Sequence, residues 1–330
     1  HVAEAVHAPG DLPLPEADLR ERGPGGRNVL VGRDGPHDLA AIGHVLDGDH
    51  PAGGQEEPAE AVPVLGTSRS LNLAWAPTDV LNVSLEIARR VGQLNFGDFL
   101  AAVNLQDDNT DAGNNRLRPP QSWEAELEMS RNFGEWGSAT VTFFHDWIED
   151  YVTVIPVAGG GESSGNVPSA TRRGYSVKGT WQMQSIGFAG AKLDLDLEIE
   201  ESTLEDPVTG EARSFDRARL KEIRLDFRHD VPQTDWAWGS EFRRTIFAPY
   251  FRVSEFGFDY NNPTFGAVFV EHKDVLGLTV RARWANLFKG DTVLDRWVYG
   301  GPRDISPILF REDRRRDIGY VFNLNVSGSF

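Results

Sequence analysis

The 330-residue sequence contains no cysteine, only two methionines (Met129 and Met183) and no long hydrophobic run. Without cysteine there is no disulfide framework and no thiolate metal site, although the compartment stays open. No stretch approaches the roughly 18 consecutive apolar residues of a membrane-spanning helix. That excludes helical membrane proteins only, because a membrane strand hides its apolar residues at alternate positions. Net basic charge is also lacking: 50 Asp and Glu against 33 Lys and Arg leave a net charge of −17. A phosphate backbone wants a basic surface, so no nucleic-acid partner is expected. The chain starts at His1 with neither an initiator methionine nor a charged-then-apolar signal peptide, and reads as a piece of a longer or processed chain.

The remaining composition, 40% hydrophobic and 25% charged, is that of a folded protein. Residues 1–65 differ from the rest of the chain. They are rich in Gly, Pro, Asp and Glu, with only Asn28–Val31 and Val62–Leu65 as short strand candidates. This segment reads as a long irregular loop, or one truncated from its partner strand.

From about Ser68 the pattern changes to strict alternation, which puts one residue set on each face of a strand. Leu71, Leu73 and Trp75 share a face, as do Leu81, Val83, Leu85 and Ile87. Trp123, Ala125, Leu127 and Met129 oppose Glu124, Glu126 and Glu128. Residues 191–200 alternate Leu or Ile with Asp or Glu, and Ile223, Leu225 and Phe227 oppose Glu222, Arg224, Asp226 and Arg228. The terminal stretch repeats the pattern from Ile318 through Val326 and ends on Phe330. Parity is lost near Leu220, and Phe265–Val270 is apolar on both sides.

Short turns fall near Pro77, Gly134, Gly187, Pro232 and Val275. Longer polar connections fall near 100–118, 158–168, 203–212, 258–264 and 300–306. Alternating short and long connections characterise outer-membrane barrels, with the short turns periplasmic and the long loops outside. A soluble sandwich with one wet face also alternates. Its long strands would each need a matching partner sheet, whereas lipid covers the apolar faces and a wet lumen hydrates the charges. The expectation is an all-β antiparallel meander over 66–330, about eleven strands of a transmembrane barrel, an odd count that suggests part of the barrel is missing. Trp123, Trp147, Trp181, Trp236, Trp238, Trp284 and Tyr320, near strand ends, are the expected membrane-interface aromatics.

Val91–Phe99 followed by Asn104–Asp108, Leu117–Glu124, Gly165–Tyr175 and Val270–Asp274, in that order and with a terminal aromatic, resemble the barrel of a TonB-dependent outer-membrane receptor. The resemblance covers roughly 66–330. It implies the C-terminal half of a plugged barrel of about 22 strands in the bacterial outer membrane. It further implies uptake of a scarce small-molecule ligand, such as a ferric siderophore, cobalamin or a carbohydrate. The implied partners are outer-membrane lipid, the barrel-assembly machinery reading Phe330, and the TonB complex acting through an N-terminal plug that these residues do not include. Such a chain alone would form an open curved sheet or an artificially closed barrel. A small outer-membrane pore or enzyme, or a soluble carbohydrate-binding sandwich, are the alternatives.

Some local motifs point elsewhere. Gly161–Gly165 spells G-x-S-x-G around Ser163, but no helix pattern follows, as a nucleophile elbow requires. Asp107–Gly113 begins like a calcium loop, yet its glycine is one place late and Arg118 stands where the bidentate Glu belongs. His145 and Asp146 are adjacent, so a strand sends them to opposite faces. Arg311–Asp317 reads as a wet strand extension or an anion-binding patch. No catalytic residue, metal or cofactor is expected.

Overall fold

A computed structural model describes residues 69–94, 99, 102–104, 109–111, 113–158, 161–261 and 264–328. The expectations for residues 1–65 and for Phe330 lie outside the described residues. The strands are β1 (Arg69–Thr78), β2 (Leu81–Val91), β3 (Ala102–Asn104), β4 (Asn109–Asp111), β5 (Gln121–Asn132), β6 (Gly137–Pro156), β7 (Glu162–Gln182), β8 (Ala191–Glu205) and β9 (Ala212–Arg213). They continue as β10 (Arg219–Asp230), β11 (Trp236–Phe247), β12 (Tyr250–Phe251), β13 (Glu255–Asn261), β14 (Thr264–Val275), β15 (Leu278–Ala285), β16 (Asp291–Tyr299), β17 (Ile308–Asp317) and β18 (Val321–Ser327).

Eleven of these form one antiparallel path, β1-β2-β5-β6-β7-β8-β10-β11-β14-β15-β18. Register makes the alternation two-sided over the whole sheet. Trp75 lies opposite Val83, Leu85 opposite Leu127, Leu127 opposite Phe143, Phe143 opposite Tyr175, and Tyr175 opposite Ile199. The same face continues through Leu195 with Leu225, Trp238 with Val270, and Trp284 with Phe322. Apolar residues thus meet apolar residues across every strand pair. No second layer covers them among the described residues: Leu73, Phe143, Trp147, Trp236, Trp284, Phe322 and Leu324 are all exposed. A soluble sandwich buries that face, so the sheet is a single wall.

All five expected short turns occur, at 79–80, 133–136, 183–190, 231–235 and 276–277. The opposite ends carry longer excursions, and here the strands run further than the sequence suggests. β6 has 20 residues and β7 has 21, so the loop expected at 158–168 shrinks to 157–161. The expected loops at 203–212 and 258–264 likewise give residues to β8, β9, β13 and β14. Leu220 marks a register shift between Arg219 and Lys221, which explains the lost parity there.

One feature had no sequence expectation. β12, β13, β16 and β17 form a separate four-stranded sheet, in that order. They extend β11, β14, β15 and β18 respectively, which are neighbours in the same order. The small sheet is therefore the upward continuation of the wall past a line of breaks. Asn286, 1% exposed and at φ +56°, ties two of them: its Nδ2 donates to Gly319 O at 2.5 Å and its Oδ1 accepts from Gly290 N at 2.8 Å. Gly319 itself sits at φ +68°, where a Cβ is disfavoured. Hence the terminal strand begins at Val321 and not, as the alternation suggests, at Ile318.

Candidate functional site

The outward face gathers the expected aromatics. Trp123 stands opposite Trp147, both exposed; Trp284 and Tyr320 pack edge to face at 5.6 Å beside the line of breaks. Trp181, Trp236 and Trp238 lie near the short turns. From Trp123 to Phe133 is ten residues. That is ~33 Å along a strand and ~23 Å across a bilayer at a tilt of ~45°.

The inward face is charged and cross-linked. Arg172 reaches Asp146 at 3.0 Å and Glu200 at 2.8 Å, and its guanidinium lies 4.6 Å from the Phe144 ring. Glu241 accepts from Arg281 and Arg283 at 3.2 and 2.5 Å, and Arg228 from β10 bonds Glu271 of β14 at 2.6 Å. Phe265 and Phe269, which made β14 look apolar on both sides, serve as ring platforms for these arginines. Arg281 lies 3.7 Å from the Phe269 centroid and Arg283 lies 5.2 Å from that of Phe265.

At the long-loop end the connections fold inward over this face and form a hydrophobic core. Phe215 packs with Ala170, Leu204, Ile148 and Tyr151. The ring of Tyr151 reaches this side because Asp150, at φ +55°, has no strand partner and shifts the parity of β6. Above it runs an ion-pair chain. Asp206 pairs with Arg213 at 2.9 Å and Arg303 at 2.8 Å, with all three side chains buried. Arg213 also reaches Asp216 at 3.2 Å and Thr153 at 3.0 Å, and Arg252 donates to Glu162 at 2.6 Å. The Phe251 ring lies between Arg213 and Arg303, at 4.5 and 5.3 Å. This roof was not legible in the sequence, since its partners lie up to 97 residues apart. Only the spacing of Arg213 and Asp216 offered a local cue.

Burial alone would raise the Asp206 carboxyl. The Arg303 hydrogen bond, the Val208 N–H and the charges of Arg303 and Arg213 outweigh it and hold the carboxyl below its ordinary value. A group lowered in the folded state adds stability that is present above its unfolded pKa and is lost as pH falls through its folded one. The expected result is a roof that stays locked down to the ordinary carboxylate range and loosens only below it. Amide exchange at 206–218, corrected for intrinsic rate, reads this; protection that does not change across that window counts against the ion pair.

The remaining motifs resolve simply. Ser163 is inside β7 and buried, with strand on both sides and its Oγ bonded to Ser164 O at 3.3 Å. His145 packs at a tilt against Trp147, 4.1 Å between ring centroids, on the outward face, while Asp146 turns inward to Arg172. The charge run Arg311–Asp317 forms most of β17. Among the described residues no three His, Asp or Glu side chains cluster as a metal site. Of the calcium-like loop, Asp107 and Asp108 lie outside the described residues.

A one-layer antiparallel meander with an oily outer face, a salt-linked inner face and unequal ends is part of the wall of a large transmembrane β-barrel. Residues 47–303 match the family described as TonB dependent receptor-like, beta-barrel, and the chain belongs to that family. Its members are transport receptors of the bacterial outer membrane rather than enzymes. Among solved structures the chain is similar to the copper transporter OprC (14% identity, TM-score 0.51, 68% of this chain and 34% of that one). It is similar also to the siderophore receptor PirA from Acinetobacter baumannii (15%, 0.47, 68% and 37%) and to a variant of the ferric enterobactin receptor PfeA from Pseudomonas aeruginosa (16%, 0.49, 79% and 40%). The chain spans 34–40% of the length of these three proteins. No curated protein sequence matches it.

Proposed function

We propose that this chain supplies C-terminal barrel wall and outer loops to a receptor for energy-coupled uptake of a scarce nutrient, in the ferric siderophore, cobalamin or carbohydrate class. The observation that carries the reading is the apolar face, carried from strand pair to strand pair across the eleven-stranded path and backed by a charged face. Lipid covers the first and a water-filled or plugged lumen suits the second. Trp123, Trp147, Trp181, Trp236, Trp238, Trp284 and Tyr320 anchor the wall at the two interfaces, and Phe330 is the element read by the barrel-assembly machinery. The inward roof around Asp206 holds the loops in a fixed shape over the lumen, where a small-molecule ligand would first meet the protein. Force from the TonB complex would act through a plug contributed by other residues.

The test is uptake in cells. Deleting the encoding gene should abolish accumulation of one labelled nutrient from a panel of ferric siderophores, cobalamin and oligosaccharides, and a protonophore should abolish it in the parent strain. Unchanged uptake across the panel, or uptake indifferent to the protonophore, would overturn the reading.

A further inference from the structure

The five short turns end the wall on the side away from the roof, and their tips are not what water selects. Tight turns favour Gly, Asn, Asp, Ser and Pro. Here four of the five also expose a large apolar side chain: Val80, Trp136, Ile186 and Leu276, at 44, 50, 66 and 98%. Leu276 is the clearest case. With Gly277 it makes a two-residue turn at φ +58° and +83°, closing Val275 on Leu278. That backbone favours Asn-Gly, so a leucine there is strained as well as uncovered. Strain kept at an uncovered tip points to a use for the side chain.

Two further observations say what that use is. The first two turns frame a cleft of about 560 Å³, lined chiefly by Val80, Phe133, Trp136 and Trp181. Around the tips stand Asp79, Glu135, Asp235 and Asp274, all exposed. None of the four has an ion-pair partner among the described residues, and Asp274 accepts only the Gly277 N–H, at 2.8 Å. On the inward face, by contrast, Glu200, Glu241 and Glu271 are each held by an arginine. Of the cations near the tips, Lys273 is taken by Asp230 at 2.7 Å, and the Arg131 guanidinium lies 5.3 Å from the Phe133 ring.

We infer that the short-turn rim is a docking surface for a periplasmic polypeptide segment that carries Lys or Arg between large apolar side chains. The inference rests on the proposed orientation, which puts the short turns in the periplasm, and it needs no contribution from a plug. Charge complementarity selects the occupant. Its apolar side chains fill the cleft and cover Ile186 and Leu276, while its cations meet carboxylates that lack a mate. A lipid surface fits the rim less well, because headgroup phosphates would face those same carboxylates.

The experiment uses the complete receptor that contains this wall, in phosphatidylcholine nanodiscs, with short fluorescein-labelled peptides made of Leu and Lys, Leu and Glu, or Ser and Lys. Anisotropy above that with empty discs reports docking. The Leu and Lys peptide alone should dock, and each of Asp79→Asn, Glu135→Gln and Asp235→Asn should weaken it about two- to fivefold. Leu276→Asn should weaken it by a similar factor while the urea midpoint of the receptor stays the same or rises, since Asn suits this turn. A leucine with a merely structural role would lower the midpoint and leave docking alone. Equal affinity of wild type and all four variants overturns the proposal, as does equal docking of the Leu and Glu peptide. Docking no better than to empty discs overturns it too, and phospholipid lost from Leu276→Asn in that case identifies lipid as the cover. Orientation has its own readout, because Leu276→Cys places a single thiol in a chain without cysteine. In intact cells that thiol should escape an impermeant maleimide and react once the outer membrane is permeabilised. Reaction in intact cells overturns the orientation and the docking together, whereas failed docking with a shielded thiol leaves the membrane reading standing.

Discussion

Replacing Leu195 with arginine is expected to cost about 2–4 kcal/mol of folding stability in the receptor barrel that contains this wall, reconstituted in vesicles, the range for a cation on the lipid side of a barrel near mid-bilayer. Leu195 is in the middle of β8, with Leu225 and Gly179 as its register partners on the outward face. An arginine there has no carboxylate within its row and must either snorkel along the strand or stay in hydrocarbon. The neighbouring Asp196 faces the other way, opposite Lys178 and Arg224, and is exposed. Asp196→Asn should therefore be nearly silent. Urea titration of that barrel carrying each variant, in the same vesicles, decides the matter, and equal losses would refute the assignment of faces. A water-soluble sheet would show a different pattern again, with Leu195→Arg tolerated on an uncovered surface.

Asp206→Ala is the second large effect, about 3–5 kcal/mol, because removing one member of a buried ion-pair group leaves its partners charged and unpaired. Asp206 is 3% exposed as a side chain, and Arg213 and Arg303 are 6% and 8% exposed. Arg213 keeps Asp216, but Arg303 keeps only the Arg252 carbonyl at 2.6 Å. The damage should be local: exchange protection lost at 206–218 and around Arg252, and retained along β5–β7. Changing Asp206, Arg213 and Arg303 together to apolar residues of similar volume should recover much of the loss, since the desolvation penalty leaves with the charges. A global loss of protection in Asp206→Ala, or no loss at all, would show that the ion pairs do not hold the roof.

Much of this wall could be read from the chain itself, for a physical reason. A period of two is a local property, so Leu193, Leu195 and Leu197 against Asp194, Asp196 and Glu198 declare their faces without reference to any other strand. The turns near Gly134, Gly187 and Pro232 were equally local, because each rests on residues suited to tight reversals. What escaped depends on residues meeting from afar. The roof joins Glu162 to Arg252 and Asp206 to Arg303, contacts that no window of sequence contains. The upper sheet escaped for a subtler reason. Beyond the breaks at Asn286 and Gly319 the period of two is gone, and Arg311–Asp317 is charged at every position, so nothing local declares those residues a sheet. The Phe265–Val270 ambiguity came from the arginines across the sheet, which make an aromatic welcome on the wet side.

The sheet has two margins, β1 and β18, each paired on one side only among the described residues. Along each margin every second residue turns its amide hydrogen and carbonyl oxygen away from any mate, and oil offers those groups nothing. Each group left bare in hydrocarbon costs several kcal/mol, so a seam a few residues long already outweighs the stability of a typical domain. This sets the order of events in assembly: these margins must be stitched to complementary strands before, or at the moment, lipid closes round them, and never afterwards.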